Sequence, residues 1–206
     1  DQYPIDLVHR LRKEGVPFDL LWLDSTWRQF NKKFGNGGCC FEFRDTFKNP
    51  QAMIDSIYAN HVDMFGLHIR SIMDNGNHNT LFDDAVKAGV VYPKADCEGI
   101  INFFDPKATD WWWKNGVMRI ASMGVKFVKT DCGGSLRFPE GTTFEKGFSA
   151  DQLHNLFPIA YAKAPYEKFQ DYNNQRGLNH TREGYAGIQR YPFIWAGDWG
   201  TEWQWF

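Results

Sequence analysis

Met123-Gly-Val-Lys-Phe-Val-Lys-Thr-Asp-Cys-Gly-Gly134 is the stretch on which the fold turns. From Val125 to Val128 every residue except Lys126 is β-branched or aromatic, and Gly124 closes the helical pattern ahead of them. That composition predicts a short buried strand entered from a helix. The strand delivers Asp131 to a Cys132-Gly133-Gly134 turn. In α/β barrels and open α/β sheets, catalytic groups gather where parallel strands run out into loops. Asp also starts turns with no chemistry attached, and this stretch alone is compatible with both readings.

Two further stretches share its form. Phe18-Asp-Leu-Leu-Trp-Leu23 runs into Asp24, and Tyr191-Pro-Phe-Ile-Trp-Ala-Gly-Asp198 again sets a carboxylate after an apolar run. Helical segments lie between. Ile5, Val8 and Leu11 share a face of a helix over 5–14 that Gly15 and Pro17 stop. Asn49-Pro50 and Asp105-Pro106 each place an N-cap before a proline at the first helical position. The first opens a helix burying Ile54, Ile57 and Tyr58. The second opens one over 107–122 with Trp113, Val117, Ile120 and Ala121 on a single face. Leu81 to Ala88 is a shorter helix closed by Gly89, and strands are expected over 63–69 and 100–104. After Asp131 comes a loop with Pro139 and Gly141, then a helix from Ala150 to about Gln170 that Pro158 and Pro165 should interrupt. Residues 28–48 read as a long loop, and 176–190 as turns with short extended runs. Helix then strand, five times over, implies parallel strands and right-handed crossovers, an α/β fold.

At 206 residues the chain is long enough for a real core. Its 23 basic and 25 acidic residues leave a net charge of -2, so no bulk field recruits nucleic acid or an anionic membrane. No apolar run approaches the length of a membrane span. Cysteines 39, 40, 97 and 132 show no C-x-x-C spacing and default to free thiols. Asn179-His-Thr181 is an N-x-T sequon, a tripeptide that chance produces often. Aromatic residues make up 17% of the chain. Many fill the core, and those at strand ends suit stacking against the apolar face of a sugar ring.

Parallel strands would bring Asp24, Asp131 and Asp198 to one face. Two carboxylates at a cleft rimmed by aromatics suit glycoside cleavage, one as nucleophile and one as proton donor. No histidine adjoins any of the three in sequence, and spacing alone leaves a hard-cation site open.

Together these segments resemble glycoside hydrolase family 31. Lys129-Thr-Asp131 before a glycine-containing turn is similar to its nucleophile motif, and Tyr191–Asp198 is similar to its acid/base segment. Asn102-Phe-Phe-Asp-Pro, Ala121-Ser-Met-Gly-Val and His154-Asn155 fall in the family's order. The resemblance covers nearly the whole chain. It implies a (β/α)8 TIM barrel preceded by a β-sandwich. Residues 1–206 would be one segment of that barrel, roughly strands 2 to 6, truncated at both ends and inactive in isolation. The implied activity is that of a retaining α-glycosidase with Asp131 as nucleophile and Asp198 as acid/base. Asp24 and Arg182 would hold hydroxyls of the bound sugar, and Trp195 would line its pocket. Lys129, near the nucleophile, and Asp74, in the loop after the strand at 63–69, complete the candidate substrate-binding group. No cofactor and no metal is called for. The partners are an α-glycoside substrate and the remaining parts of the same polypeptide, its β-sandwich and the rest of its barrel.

The family pattern is broken in two places. Cys132-Gly133-Gly134 stands where Phe-Gly-Glu or similar is usual, and Ile72-Met73-Asp74-Asn75 replaces an aromatic and an Asn-Pro pair. A glucose or xylose preference therefore does not carry over. Trp195 and Trp199 are expected to enclose Asp198 in apolar surroundings. His68 reads as a satisfied strand histidine, and His78 and His154 as residues without chemistry. The competing reading is a non-catalytic carbohydrate-binding or structural barrel segment; transglycosylation or lyase chemistry would use the same intermediate.

Overall fold

The computed structural model describes residues 1–30, 33–92, 98–133, 147–191 and 193–205. The elements run α1 (Gln2–Lys13), β1 (Leu20–Leu23), β2 (Gly38–Cys39), α2 (Pro50–Ala59), β3 (Met64–Arg70), β4 (Ile72–Met73) and α3 (Leu81–Lys87). They continue through α4 (Pro106–Trp112), α5 (Met118–Ala121), β5 (Phe127–Asp131), α6 (Ala150–Asn173) and β6 (Asn179–Thr181). Among the described residues, one four-stranded sheet has the order β1-β3-β5-β6, parallel throughout, and β2 pairs with β4 in a second, two-stranded sheet. Neighbours in the large sheet are consecutive strands linked by helices, the pattern of a barrel wall. The expected partial (β/α)8 barrel is the observed architecture.

The helix starts follow from their caps. Asn49 accepts from the Ala52 backbone N–H at 3.0 Å, with Pro50 next in line. Asp105 accepts from Lys107 N at 2.9 Å, again ahead of a proline. Ser149 and Gln152 form a reciprocal capping box at the start of α6. Contrary to expectation, α6 runs unbroken through Pro158 and Pro165. The two prolines lie about two turns apart on one face, and both are buried, so packing offsets the backbone bonds they remove.

Three other expectations need correction. Residues 100–104 form no barrel strand: Ile100 and Ile101 make isolated antiparallel bridges to Ile72 and Val91, and the chain then turns. The fourth parallel strand is instead Asn179–Thr181, one short extended run inside the segment read as turns with such runs. It carries no apolar run and is buried because β5 pairs with it. The helix over 107–122 is split by a π turn at Trp113–Val117. That turn re-aims the face, so Trp112 enters the core and Trp113 packs edge-on against Phe169, while Val117, Ile120 and Ala121 stay buried as expected. Among the described residues of Tyr191–Asp198, pairing is seen at Ile194, which bridges Thr181 in parallel, with Thr181 N bonded to Phe193 O and Trp195 N to Thr181 O. The loop holding Pro139 and Gly141, and Cys97 and Gly134, lie outside the described residues.

Strand alternation divides the sheet into two faces. Phe65, Leu67, Ile69 and Val128 join Val8, Met53, Ile54 and Ile57 in the main core, under the helices. The other face carries Gly66, His68 and Arg70 on β3 and Phe127, Lys129 and Asp131 on β5, in paired register. Gly66 is required there by close approach. A Cβ at this position would lie 2.5 Å from the ring of Phe127, which is itself fully buried and cannot yield. Gly66→Ala should therefore lower unfolding free energy by about 1–3 kcal/mol, as overpacking does, measured as a shift in urea midpoint. An unchanged midpoint would show that the ring has room to move.

Candidate active site

Register sets the site in two rows across the inner face. Leu23 pairs with Leu67, His68 with Lys129, and Lys129 with His180, so Asp24, His68, Lys129 and His180 share one level. Two residues further along, Arg70 pairs with Asp131, and Arg182 continues β6 beside it, its N–H bonded to Thr130 O. The strands thus lay an arginine on each side of the carboxylate.

Asp131, 6% exposed, is bonded from several directions. Its Oδ1 accepts from the Cys132 backbone N–H at 2.9 Å and from Arg182 Nη1 at 3.2 Å. Its Oδ2 lies 3.0 Å from His68 Nε2 and 3.8 Å from Arg70 Nη2. Burial by itself would raise the carboxyl's pKa. The bonds from His68 and Arg182 and the charge of Arg70 outweigh it and hold the group well below the usual carboxylate range. Cys132, next in the chain, has φ 58°, a left-handed turn that glycine would take more easily. Gly133 N then donates to Glu183 Oε2 at 2.9 Å, tying this turn to the segment after β6.

Arg182 also reaches Asp198, its Nη1 lying 3.1 Å from Asp198 Oδ2. One nitrogen therefore touches both carboxylates expected to carry the chemistry. The apolar enclosure expected for Asp198 is not what the structure shows. Its side chain is 77% exposed and ion-paired, and Trp199 is 61% exposed. The segment after Ile194 leaves the sheet and carries Asp198 outward.

Asp24 sits where β1 ends. Its Oδ1 accepts from Ser25 N at 2.6 Å, and its Oδ2 takes Lys129 Nζ at 2.6 Å. Burial raises this carboxyl's pKa, and the Lys129 and Ser25 bonds more than reverse that. Lys129 Nζ also lies 4.4 Å from the ring centroid of Trp195, a cation–π contact. Asp24, Lys129 and Trp195 thus make one contacting set, and Asp131, Arg182 and Asp198 make a second. Asp74 is placed elsewhere, after β4 in the smaller sheet and against Gly38, 2% exposed, with burial pushing its pKa up to about 6.

His68, read from the sequence as a satisfied strand histidine, and three residues that sequence reasoning passed over belong here. His68 and Arg70 are polar residues two apart in the apolar run of β3, a spacing that puts both on one face. Arg28, buried, supports His68. His180 stacks on Phe193 with ring centroids 4.1 Å apart and meets Trp195 at 4.4 Å and Trp22 at 5.0 Å. A cleft of about 560 Å³ opens beside Arg182, lined also by Cys132, His154, Asn155 and Glu183. Among the described residues no group of three His, Cys, Asp or Glu is placed to hold a metal ion.

The burial that packs His180 pushes its pKa down to about 4, against about 6.5 in the unfolded chain. Between those values the unfolded chain binds the extra proton. His180 therefore contributes stability above about pH 6.5 that is lost as pH falls toward 4. Thermal melts of His180→Phe should show a smaller loss across that window than the unchanged protein. Parallel curves would refute the assignment.

The family model described as the Glycosyl hydrolases family 31 TIM-barrel domain matches residues 2–206. The 1,3-alpha-isomaltosidase of Kribbella flavida is 25% identical, the alignment covering 90% of this chain and 28% of that protein. An isomaltosyltransferase of Sporosarcina globispora is 26% identical over 99 residues, 48% of this chain and 9% of its own length. Among solved structures, a GH31 dextranase of Flavobacterium johnsoniae complexed with glucose superposes with a TM-score of 0.76 at 23% identity, covering 95% of this chain and 25% of that one. The chain spans less than a third of the length of each of these three relatives.

Proposed function

This chain belongs to glycosyl hydrolase family 31, and from that premise we propose that it carries the catalytic pair of a retaining α-glycosidase, Asp131 as nucleophile and Asp198 as acid/base. One observation supports the pairing above the others. Arg182 Nη1 lies 3.2 Å from Asp131 Oδ1 and 3.1 Å from Asp198 Oδ2. One oxygen of each carboxylate therefore meets the same nitrogen, in keeping with the close carboxyl pair that a retaining mechanism uses.

In the proposed reaction Asp131 attacks the anomeric carbon while Asp198 gives its proton to the departing glycosidic oxygen. The bond to the leaving group breaks as the glycosyl–Asp131 ester forms. Asp198, now a carboxylate, takes a proton from an incoming water whose oxygen attacks the same carbon, and the ester breaks with the anomer retained. The lowered pKa of Asp131 suits the first step, since the nucleophile must stay ionised. Arg182 plays two parts: it holds the two carboxylates together, and its several donors suit sugar hydroxyls. A hydroxyl entering beside Asp198 would take over the guanidinium and free Asp198 to carry its proton.

Asp24 and Lys129 offer an acceptor and a donor to neighbouring hydroxyls, and Trp195 offers an apolar face to the ring's C–H surface. Asp74 has no described contact with this group, and the step does not need it. Similarity to an isomaltosyltransferase as well as to a 1,3-alpha-isomaltosidase supports a second acceptor. A sugar hydroxyl in place of water would give transfer instead of hydrolysis from the same ester.

The test uses the full-length protein that carries this chain, with aryl α-glycosides and a slow-turnover fluorinated glycosyl fluoride. The fluoride should label Asp131, and the first product should keep the α configuration. Asp131→Ala should abolish turnover of every substrate. Asp198→Ala should cost about 10²–10⁴-fold with poor leaving groups and little with good ones in the glycosylation step. An inverted product, or near-native activity in Asp131→Ala, would overturn the assignment. An unlabelled, inactive protein would point to a carbohydrate-binding barrel.

A further inference from the structure

Arg28, buried with 0% exposure, lies away from the substrate cleft yet is joined to the proposed nucleophile through one side chain. Its guanidinium donates from Nε to Gly38 O at 2.8 Å, from Nη1 to Ser25 O at 2.9 Å, and from Nη2 to Asn36 O at 2.6 Å and Asn36 Oδ1 at 2.9 Å. The second Nη1 hydrogen points to His68 Nδ1 at 3.0 Å. His68 Nε2 faces Asp131 Oδ2, also at 3.0 Å. A third contact fixes the histidine's backbone, Trp27 Nε1–H donating to His68 O at 2.6 Å.

A guanidinium has donors and no acceptor. His68 Nδ1 must therefore accept, and it cannot carry a proton. The only remaining proton sits on Nε2, where it points at the carboxylate. An imidazolium is excluded by the same geometry, because its Nδ1–H would be driven against the Nη1–H of a permanent cation. Burial and the Arg28 charge both push the His68 pKa down, in line with that conclusion.

We propose that His68, locked as the neutral Nε2–H tautomer by Arg28, is a positioning residue that orients Asp131 for attack. This deepens the reading of Asp131 as nucleophile and rests on it. The neutral donor fixes the rotation of the carboxylate about its last bond. It also leaves the negative charge on Asp131, whereas an imidazolium at this distance would compete for it and could return a proton to it. The arrangement is set deep in the fold, by a loop arginine and two paired strands, so it exists before any sugar arrives.

The experiment begins with the unchanged full-length protein. Imidazole 15N resonances of His68 at neutral pH should report a protonated Nε2 and a bare Nδ1; the opposite tautomer or an imidazolium overturns the proposal. Variants then read the effect on the first chemical step through the rate at which the fluorinated glycosyl fluoride labels Asp131. His68→Gln preserves the device, since its Oε1–Cδ–Nε2 unit repeats the spacing of Nδ1–Cε1–Nε2, accepting from Arg28 and donating to Asp131. It should label within about tenfold of the unchanged protein. His68→Leu should slow labelling by about 10²-fold, the size expected of a misplaced reacting group, with little change in KM. His68→Glu covers the case in which the Leu variant does not fold, because it keeps Arg28 paired while removing the donor to Asp131. It should show the same loss. Equal labelling rates in His68→Glu and the unchanged protein overturn the positioning role and leave the nucleophile assignment standing. If Asp131 is not labelled in the unchanged protein, that assignment fails, and the positioning role falls with it.

Discussion

A carboxylate taken out of water at the end of a parallel strand is stable only if donors replace the water it has lost. Asp131 is in that position, and the surrounding elements can be read as the donors' supports. The strand turn gives the Cys132 N–H, β3 gives His68 and Arg70, and the chain leaving β6 gives Arg182. Removing Asp131 would leave Arg70 without the carboxylate it faces, and removing Arg182 would take a donor from both Asp131 and Asp198. The cost of burial and the reactivity of the group thus have one origin.

The sheet makes this convergence possible through its alternation. Phe65, Leu67, Ile69 and Val128 turn outward to meet the helices, and their burial frees the inner positions from supplying stability. Those inner positions can then be ionic. Gly66 takes part by omission: it gives up a side chain so that Phe127 can fill the level below the charged rows. Charged residues lie above an aromatic floor, and helices cover the other side.

Aromatic content has a comparable division of labour. Trp27 and Trp112 are core, as is the cluster that Phe157 and Tyr161 of α6 form with Phe103. Trp22, Phe193 and Trp195 instead gather about His180 beside Lys129. That group holds the last extended segment against β6 and sets Trp195 at the rim of the charged rows.

The helices, their caps and three of the four barrel strands were legible in the sequence, because apolar periodicity, Asn49-Pro50 and Asp105-Pro106 are local signals. Asp24 and Asp131 were legible for the same reason, each following its strand directly. β6 was not, because Asn179, His180 and Thr181 owe their extended form to pairing with β5 and not to their own propensity. Nor was the run through Pro158 and Pro165, whose cost is offset by packing that no local window contains. His68 and Arg70 looked like ordinary members of an apolar strand, and Arg28 like a loop residue. Their part in the site depends on register, on which residue of β3 lies beside Asp131, and on which loop folds back over His68. The sequence by itself determined where strands end in carboxylates; only the tertiary structure decided which donors meet them, because hydrogen bonds between strands far apart in the chain are set by pairing and packing.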